Sequence, residues 1–206
     1  MKGIEWLFFD VGSTLMNEEK AYLHRLKDIA NAVNEPIDKI YDMAIAFYKE
    51  NKKGDLEVMN LYGLPKIKWY KEDEELYTDT VFVLDELSKR YQIGVIANQS
   101  LGTAERFKQK GILKYIDLVI ASAEEGVEKP DKRIFEIALQ RANCRPENAV
   151  MIGDRVDNDI VPAKKLGMKT VWIKQGFGKY WKIVDQEEIA DYEIDNLTTL
   201  LSILDL

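Results

Sequence analysis

Long apolar runs, cysteine pairs and an excess of positive charge are all missing from this sequence. Cys144 is the only cysteine among 206 residues, so no intrachain disulfide can form, which fits a reducing cytoplasm. Lys and Arg number 29 against 36 Asp and Glu, a formal net charge of -7. Such a surface does not favour nucleic acid or anionic membranes, although it is compatible with a local basic pocket. The first apolar run is cut short by Asp10, too early for a signal peptide or a spanning helix, and no later run reaches membrane length. Internal repeats and low-complexity tracts are absent as well. What remains is 46% hydrophobic and 32% charged residues, the balance of a soluble globular protein with one core and room for a small second lobe.

Short apolar runs occupy residues 4–9, 93–97, 118–121, 149–152 and 170–173. Most are apolar on both faces and bounded by polar residues or glycine, the pattern of buried parallel strands. Helical spacing lies between them, at Val81, Leu84 and Leu87, at Ile134, Ile137 and Ala138 behind a capping Asp131, and at Ile160, Val161, Ala163 and Leu166 before Gly167. Alternating strands and helices predict a doubly wound parallel α/β domain. Residues 16–78 interrupt the alternation with no convincing strand. Tyr22, Leu26, Ile29 and Val33 form one helical stripe, and Ile37, Ile40, Tyr41, Ala44 and Phe47 another after Pro36. An inserted lobe of three or four helices is expected to cover the carboxyl ends of the strands, where open α/β sheets bind ligands.

Four segments at those ends carry chemistry. In the first, Asp10 follows a strand directly, where a carboxylate can attack phosphorus or carbon, or bind a metal. Gly12 and Ser13 permit a turn whose backbone approaches a ligand. Taken alone, Asp10 is equally well read as a turn cap. The second segment holds Asp154, Asp157 and Asp159, which repel one another unless a cation or solvent screens them. Hard oxygen ligands suit magnesium. Asp157 fits a solvated helix start, whereas Asp154 and Asp159 fit it less well. In the third, Lys129 can neutralise a carboxylate and a transferring phosphoryl group together. In the fourth, Asn98 can offer its amide and backbone N–H to a ligand oxygen. Lys129 or Asn98 alone reads as a surface residue.

The order of these segments resembles the haloacid dehalogenase superfamily from Phe8 to Ile173. Its most specific part is Gly153-Asp154 with Asn158-Asp159, followed by Ala163 and Leu166-Gly167-Met168; Lys129-Pro130 with Ile134-Phe135 is also distinctive. The resemblance implies a Rossmann-like core of residues 1–15 and 79–206, a small helical cap of residues 16–78, and a magnesium-dependent phosphohydrolase acting on a small phosphorylated metabolite. It implies that Asp10 is the nucleophile and forms an aspartyl-phosphate. Magnesium would be held by Asp10, the Gly12 carbonyl and Asp154, with Asp159 orienting metal-bound water. Lys129 would screen the charge between carboxylate and phosphate, and Gly12, Ser13 and Asn98 would join it around the substrate.

Two positions depart from the family pattern. Phosphatases of this family carry a second aspartate two residues after the nucleophile, to protonate the leaving oxygen and deprotonate the attacking water; here that residue is Gly12. Ala97 stands where a Ser or Thr hydroxyl is usual. Acid–base help is worth about 10²- to 10⁴-fold. Four readings follow: a phosphatase helped by the cap or by its substrate, with Glu18, Glu19 and His24 as candidates; an enzyme restricted to good leaving groups such as acyl phosphates; a carbon–halogen hydrolase; and a phosphate- or metabolite-binding protein that has lost catalysis. The superfamily's dehalogenases carry tyrosine at the Gly12 position and need no metal, so the acidic cluster argues against the third. His24 also reads as an exposed helix residue, Trp69, Tyr70, Tyr180 and Trp181 as packing residues, Lys179 as a possible cleft residue, and residues 49–53 as a solvated helix end.

Overall fold

The computed structural model describes residues 1–204. The first apolar run forms β1 (Trp6–Phe9), in which Leu7 and Phe9 point to one face of the sheet and Phe8 to the other, all three fully buried. After β2 (Met16–Asn17), the chain makes α1 (Glu19–Val33), α2 (Ile37–Tyr48) and α3 (Gly54–Leu61), then β3 (Glu75–Leu76) antiparallel to β2. Next come α4 (Thr80–Ser88), β4 (Gln92–Ala97), α5 (Thr103–Gln109), β5 (Leu118–Ala121), α6 (Ser122–Glu125) and α7 (Lys132–Arg141). The chain then forms β6 (Ala149–Gly153), α8 (Val161–Lys165), β7 (Lys169–Ile173), β8 (Tyr192–Ile194) and α9 (Thr199–Ile203).

The main sheet has six parallel strands in the order β5-β4-β1-β6-β7-β8. Winding runs from β1 out through β4 to β5, then returns to β6 on the other flank of β1. That reversal opens a crevice beyond the carboxyl ends of β1 and β6. One face of the sheet packs Leu7, Phe9, Val95 and Ile152 against Val83, Leu84 and Leu87 of α4 and against Leu200 of α9. The opposite face packs Phe8, Ile96, Ile120 and Met151 against Ile134, Phe135 and Ala138 of α7. Two covered faces explain why the strands read as continuous apolar runs rather than alternating ones.

Several details differ from the sequence reading. Strands β2 and β3 lie inside the interval expected to be wholly helical; at two residues each they carry no periodic signal. Strand β8 is a three-residue edge strand with two exposed positions, so it lacks an apolar run. Helix α4 buries Thr80, Val83, Leu84 and Leu87 but leaves Val81 43% exposed, so Val81 is not on the core face. The expected helix around residue 160 begins as a π-turn at Val156–Ile160 and continues as α8. Asp131 caps α7 as expected, accepting from the Arg133 backbone N–H at 2.9 Å.

Helices α1, α2 and α3 build an apolar cluster of their own from Leu26, Ile29, Ile40, Ala44, Val58 and Met59. A buried ion pair crosses it, Arg25 to Asp55 at 2.6 Å, and the Tyr48 hydroxyl donates to the same carboxylate at 3.0 Å. The loop after β7 is tied to these helices. Phe177 stacks on Tyr48, ring centres 4.5 Å apart and 3° from parallel, and meets Tyr22 edge-on at 4.7 Å. Asn51 exchanges two 2.8 Å hydrogen bonds with the backbone of Lys182. Among the described residues no helix is long and apolar enough to cross a membrane.

Candidate active site

Asp10 leaves the end of β1 and Asp154 leaves the end of β6, so pairing of the two strands brings both carboxylates to one crevice. The ladder holds to its last residue, since the Asp10 N–H donates to the Ile152 carbonyl at 2.9 Å. Asp159 arrives from the π-turn that follows β6, a distortion that recurs at functional sites. Its carboxylate accepts the Arg155 N–H at 3.0 Å, which turns it back toward Asp154. Gly153 makes room for this return, because a Cβ there would lie 2.3 Å from Asp159 Oδ2 and 2.4 Å from its Cγ.

One carboxylate oxygen from each of Asp10, Asp154 and Asp159 lies within 4.8 Å of the others. Lys129 is driven between two of them, its Nζ 2.6 Å from Asp10 Oδ1 and 2.5 Å from Asp159 Oδ1, with a side chain only 2% exposed. Burial opposes its charge, but Asp10 and Asp159 outweigh that and hold the ammonium above its ordinary range. One cation does not balance three acids. Burial, then the charges of Asp10 and Asp159, push the Asp154 carboxyl well above the usual range. Burial raises Asp159 too, against the pull of Lys129. A dense, all-oxygen, under-neutralised cluster is the donor chemistry that a hard divalent cation fits.

Asn98 lines the cavity that holds Asp10, and its amide donates to the Lys129 carbonyl at 2.8 Å and accepts the Lys129 N–H at 2.7 Å, so the side chain also clamps the lysine's backbone. Ser13 sits at φ +53° and donates its hydroxyl to Glu18 Oε2 at 3.2 Å. It lines a neighbouring cavity of about 260 Å³, with Lys179, rather than the one holding Asp10. Ala97 is fully buried at the end of β4 and brings no hydroxyl. Asp157 is held by a two-bonded fork from Arg155 at 2.9 and 2.6 Å, away from the cluster.

The cavity over the cluster measures about 140 Å³ and is walled by Asp10, Gly12, Glu18, Lys129, Asp154 and Arg155, among others. A larger one of about 380 Å³ shares Glu18, Tyr22, Lys53 and Arg155 with it and adds Arg25, Lys66 and Trp69. Lys53, an exposed residue, lines both cavities, and Arg155 is a cleft residue hidden in the sequence among acidic neighbours. Burial, with Glu74 and Asp10 close by, pushes the Glu18 carboxyl up to about 8. Of the other acid–base candidates, Glu19 is exposed and lines the 260 Å³ cavity. His24 pairs with Asp73 at 2.8 Å and stacks on Tyr70.

Residues 7–173 match the family model described as haloacid dehalogenase-like hydrolase. The chain is 32% identical to the glyceraldehyde 3-phosphate phosphatase of Pyrococcus furiosus, an alignment covering all of this chain and 95% of that protein. Among solved structures it resembles a HAD phosphatase from Thermococcus onnurineus, with TM-score 0.67, 24% identity and 98% of each chain covered. It also resembles the 2-haloacid dehalogenase of Pseudomonas syringae, with TM-score 0.66, 21% identity and 98% of each chain covered. The fold alone thus does not choose between carbon–halogen and phosphoryl chemistry.

Proposed function

Because the chain belongs to the haloacid dehalogenase-like hydrolases, we propose that it is a magnesium-dependent phosphohydrolase acting on a small phosphorylated metabolite. The observation that carries this reading is Lys129, locked between Asp10 and Asp159 beside Asp154. That ammonium and a divalent cation on the three acids would together screen Asp10 from an incoming phosphoryl dianion, whereas displacing halide from carbon calls for no such cation cluster. The full-length relative is named for glyceraldehyde 3-phosphate, which makes that compound the first metabolite to assay.

The reaction follows from the side chains present. Lys129 holds one oxygen of Asp10, and the other attacks phosphorus as the bond to the leaving oxygen breaks, giving an aspartyl-phosphate. Water then attacks that phosphorus, releasing inorganic phosphate and restoring Asp10. Magnesium held by Asp10, the Gly12 carbonyl and Asp154 would neutralise charge on the phosphoryl oxygens, with Asp159 supporting the hydration shell and the lysine. Helices α1, α2 and α3, within residues 16–78, serve as the cap, whose cavity wall of Lys53, Lys66 and Trp69 receives the rest of the substrate.

Hydrolysis of an aryl phosphate with and without magnesium tests the reading. Activity is expected to need the metal and to vanish in Asp10→Asn. A wild-type protein that binds magnesium yet turns over no phosphate ester or anhydride would leave the binding-protein reading in its place.

A further inference from the structure

Gly12 poses a question that its backbone does not answer. Its φ is not among the left-handed values, so the conformation itself does not demand glycine. What stands in the way of a side chain there is another side chain. A Cβ on Gly12 would lie 2.5 Å from Glu18 Oε1 and 2.7 Å from its Cδ and Oε2. The Glu18 carboxyl thus fills the volume into which residue 12 would project. It is held there by the Ser13 hydroxyl at 3.2 Å on Oε2, and it walls the same cavity as Asp10, Lys129 and Asp154.

We infer that Glu18 is a catalytic residue of this site, carrying from outside the first strand's loop the proton transfers that a carboxylate at position 12 would perform. The inference rests on the phosphohydrolase reading above. In the first half-reaction, an Asp10 oxygen bonds to phosphorus and the bond from phosphorus to the leaving oxygen breaks. The electron pair stays on that oxygen, and the Glu18 proton goes to it. In the second, a water oxygen bonds to the same phosphorus while Glu18 takes the water's proton. The bond from phosphorus to Asp10 breaks, and both carboxyls return to their starting states. The absence of a side chain at position 12 is then a relocation of the acid and not its loss.

The test is a series of phosphate monoesters, from nitrophenyl phosphates to simple alkyl phosphates, with magnesium present. In Glu18→Gln, kcat/KM for alkyl phosphates is expected to fall by about 10²- to 10⁴-fold, while nitrophenyl phosphates, which need no proton, lose far less in the first step. Nitrophenyl phosphate should also give a burst of one nitrophenol per site, because the second step is slowed and aspartyl-phosphate accumulates. Adding Gly12→Asp to Glu18→Ala should recover activity on alkyl phosphates, since the vacated space accepts the new carboxyl. Wild-type dependence on the leaving group in Glu18→Gln, or no gain in the double variant, overturns the inference and leaves the Asp10 mechanism standing. Turnover that survives Asp10→Asn, or a wild type inert to the whole series, overturns the phosphohydrolase reading instead.

Discussion

Replacing Lys129 by methionine keeps most of the side-chain volume and removes the one ammonium inside the acidic cluster. In the native protein that ammonium lies 2.6 Å from Asp10 Oδ1 and 2.5 Å from Asp159 Oδ1, with 2% exposure. Removing one partner of a buried pair costs about 3–5 kcal/mol, because the opposite charge is left uncompensated. Two carboxylates are abandoned here, so the upper half of that range is expected with magnesium withheld. For a chain of this size each kcal/mol moves the melting temperature by about 2–4 °C, a total fall of roughly 8–20 °C. Magnesium at about 100 times its Kd should return about 2.7 kcal/mol by binding only the folded protein. The pH dependence has a definite sign. Burial already raises Asp159 against Lys129, and without the lysine it rises further. The deficit is therefore full above the new folded pKa and shrinks as pH falls through it, when a proton replaces the ammonium. Thermal and urea unfolding in EDTA and in magnesium, at neutral and mildly acidic pH, measure all three effects. A neutral-pH loss below about 1 kcal/mol in EDTA, with no pH dependence, would refute the view that Lys129 neutralises this cluster.

Other outcomes are expected from the same geometry. Gly153→Ala places a methyl 2.3–2.6 Å from the Asp159 side chain, so it should cost about 1–3 kcal/mol and displace Asp159 from Lys129, read by calorimetry and by weakened magnesium binding. Gly12→Asp alone must displace the Glu18 carboxyl and should gain less on alkyl phosphates, relative to its parent, than the same substitution does in Glu18→Ala. Arg25→Met leaves Asp55 buried without its cation and should destabilise by about 3–5 kcal/mol, whereas Arg25→Met with Asp55→Leu should recover most of the loss in urea titrations. Glu18, raised from 4.5 to about 8, binds its proton more tightly when folded, so its cost is absent below pH 4.5 and complete above about 8. In EDTA the melting temperature of Glu18→Gln should accordingly pull ahead of wild type as pH rises across that window; parallel curves would count against it.

Much of this site was legible because a doubly wound sheet turns sequence order into position. Asp10 and Asp154 each follow an apolar run directly, and parallel pairing of β1 with β6 then sets them side by side. Lys129 and Asp159 were legible through motif spacing. Less legible is the placement of residues that depends on a turn or a second segment; the sequence offers Glu18 as a candidate but not its position. Glu18 begins a helix, where an acid is favourable in any case, and only the path from β1 through β2 brings it over Gly12. The sequence puts Asn98 at the strand end, but its engagement with the Lys129 backbone, 31 residues away, leaves no local trace. Lys53 reads as part of a polar helix end, and it lines the cavity from the turn between α2 and α3.

The double fastening of the β7 loop to the helices, by Phe177 on Tyr48 and by Asn51 on Lys182, holds the wall of the crevice on that side in place. The cavity adjoining the one over Asp10 carries the exposed Lys53 and Lys66. A molecule carrying seven surplus negative charges thus admits its anion by a positive doorway. Capture of substrate, unlike the bond-breaking that follows, should slow as added salt dims that local field.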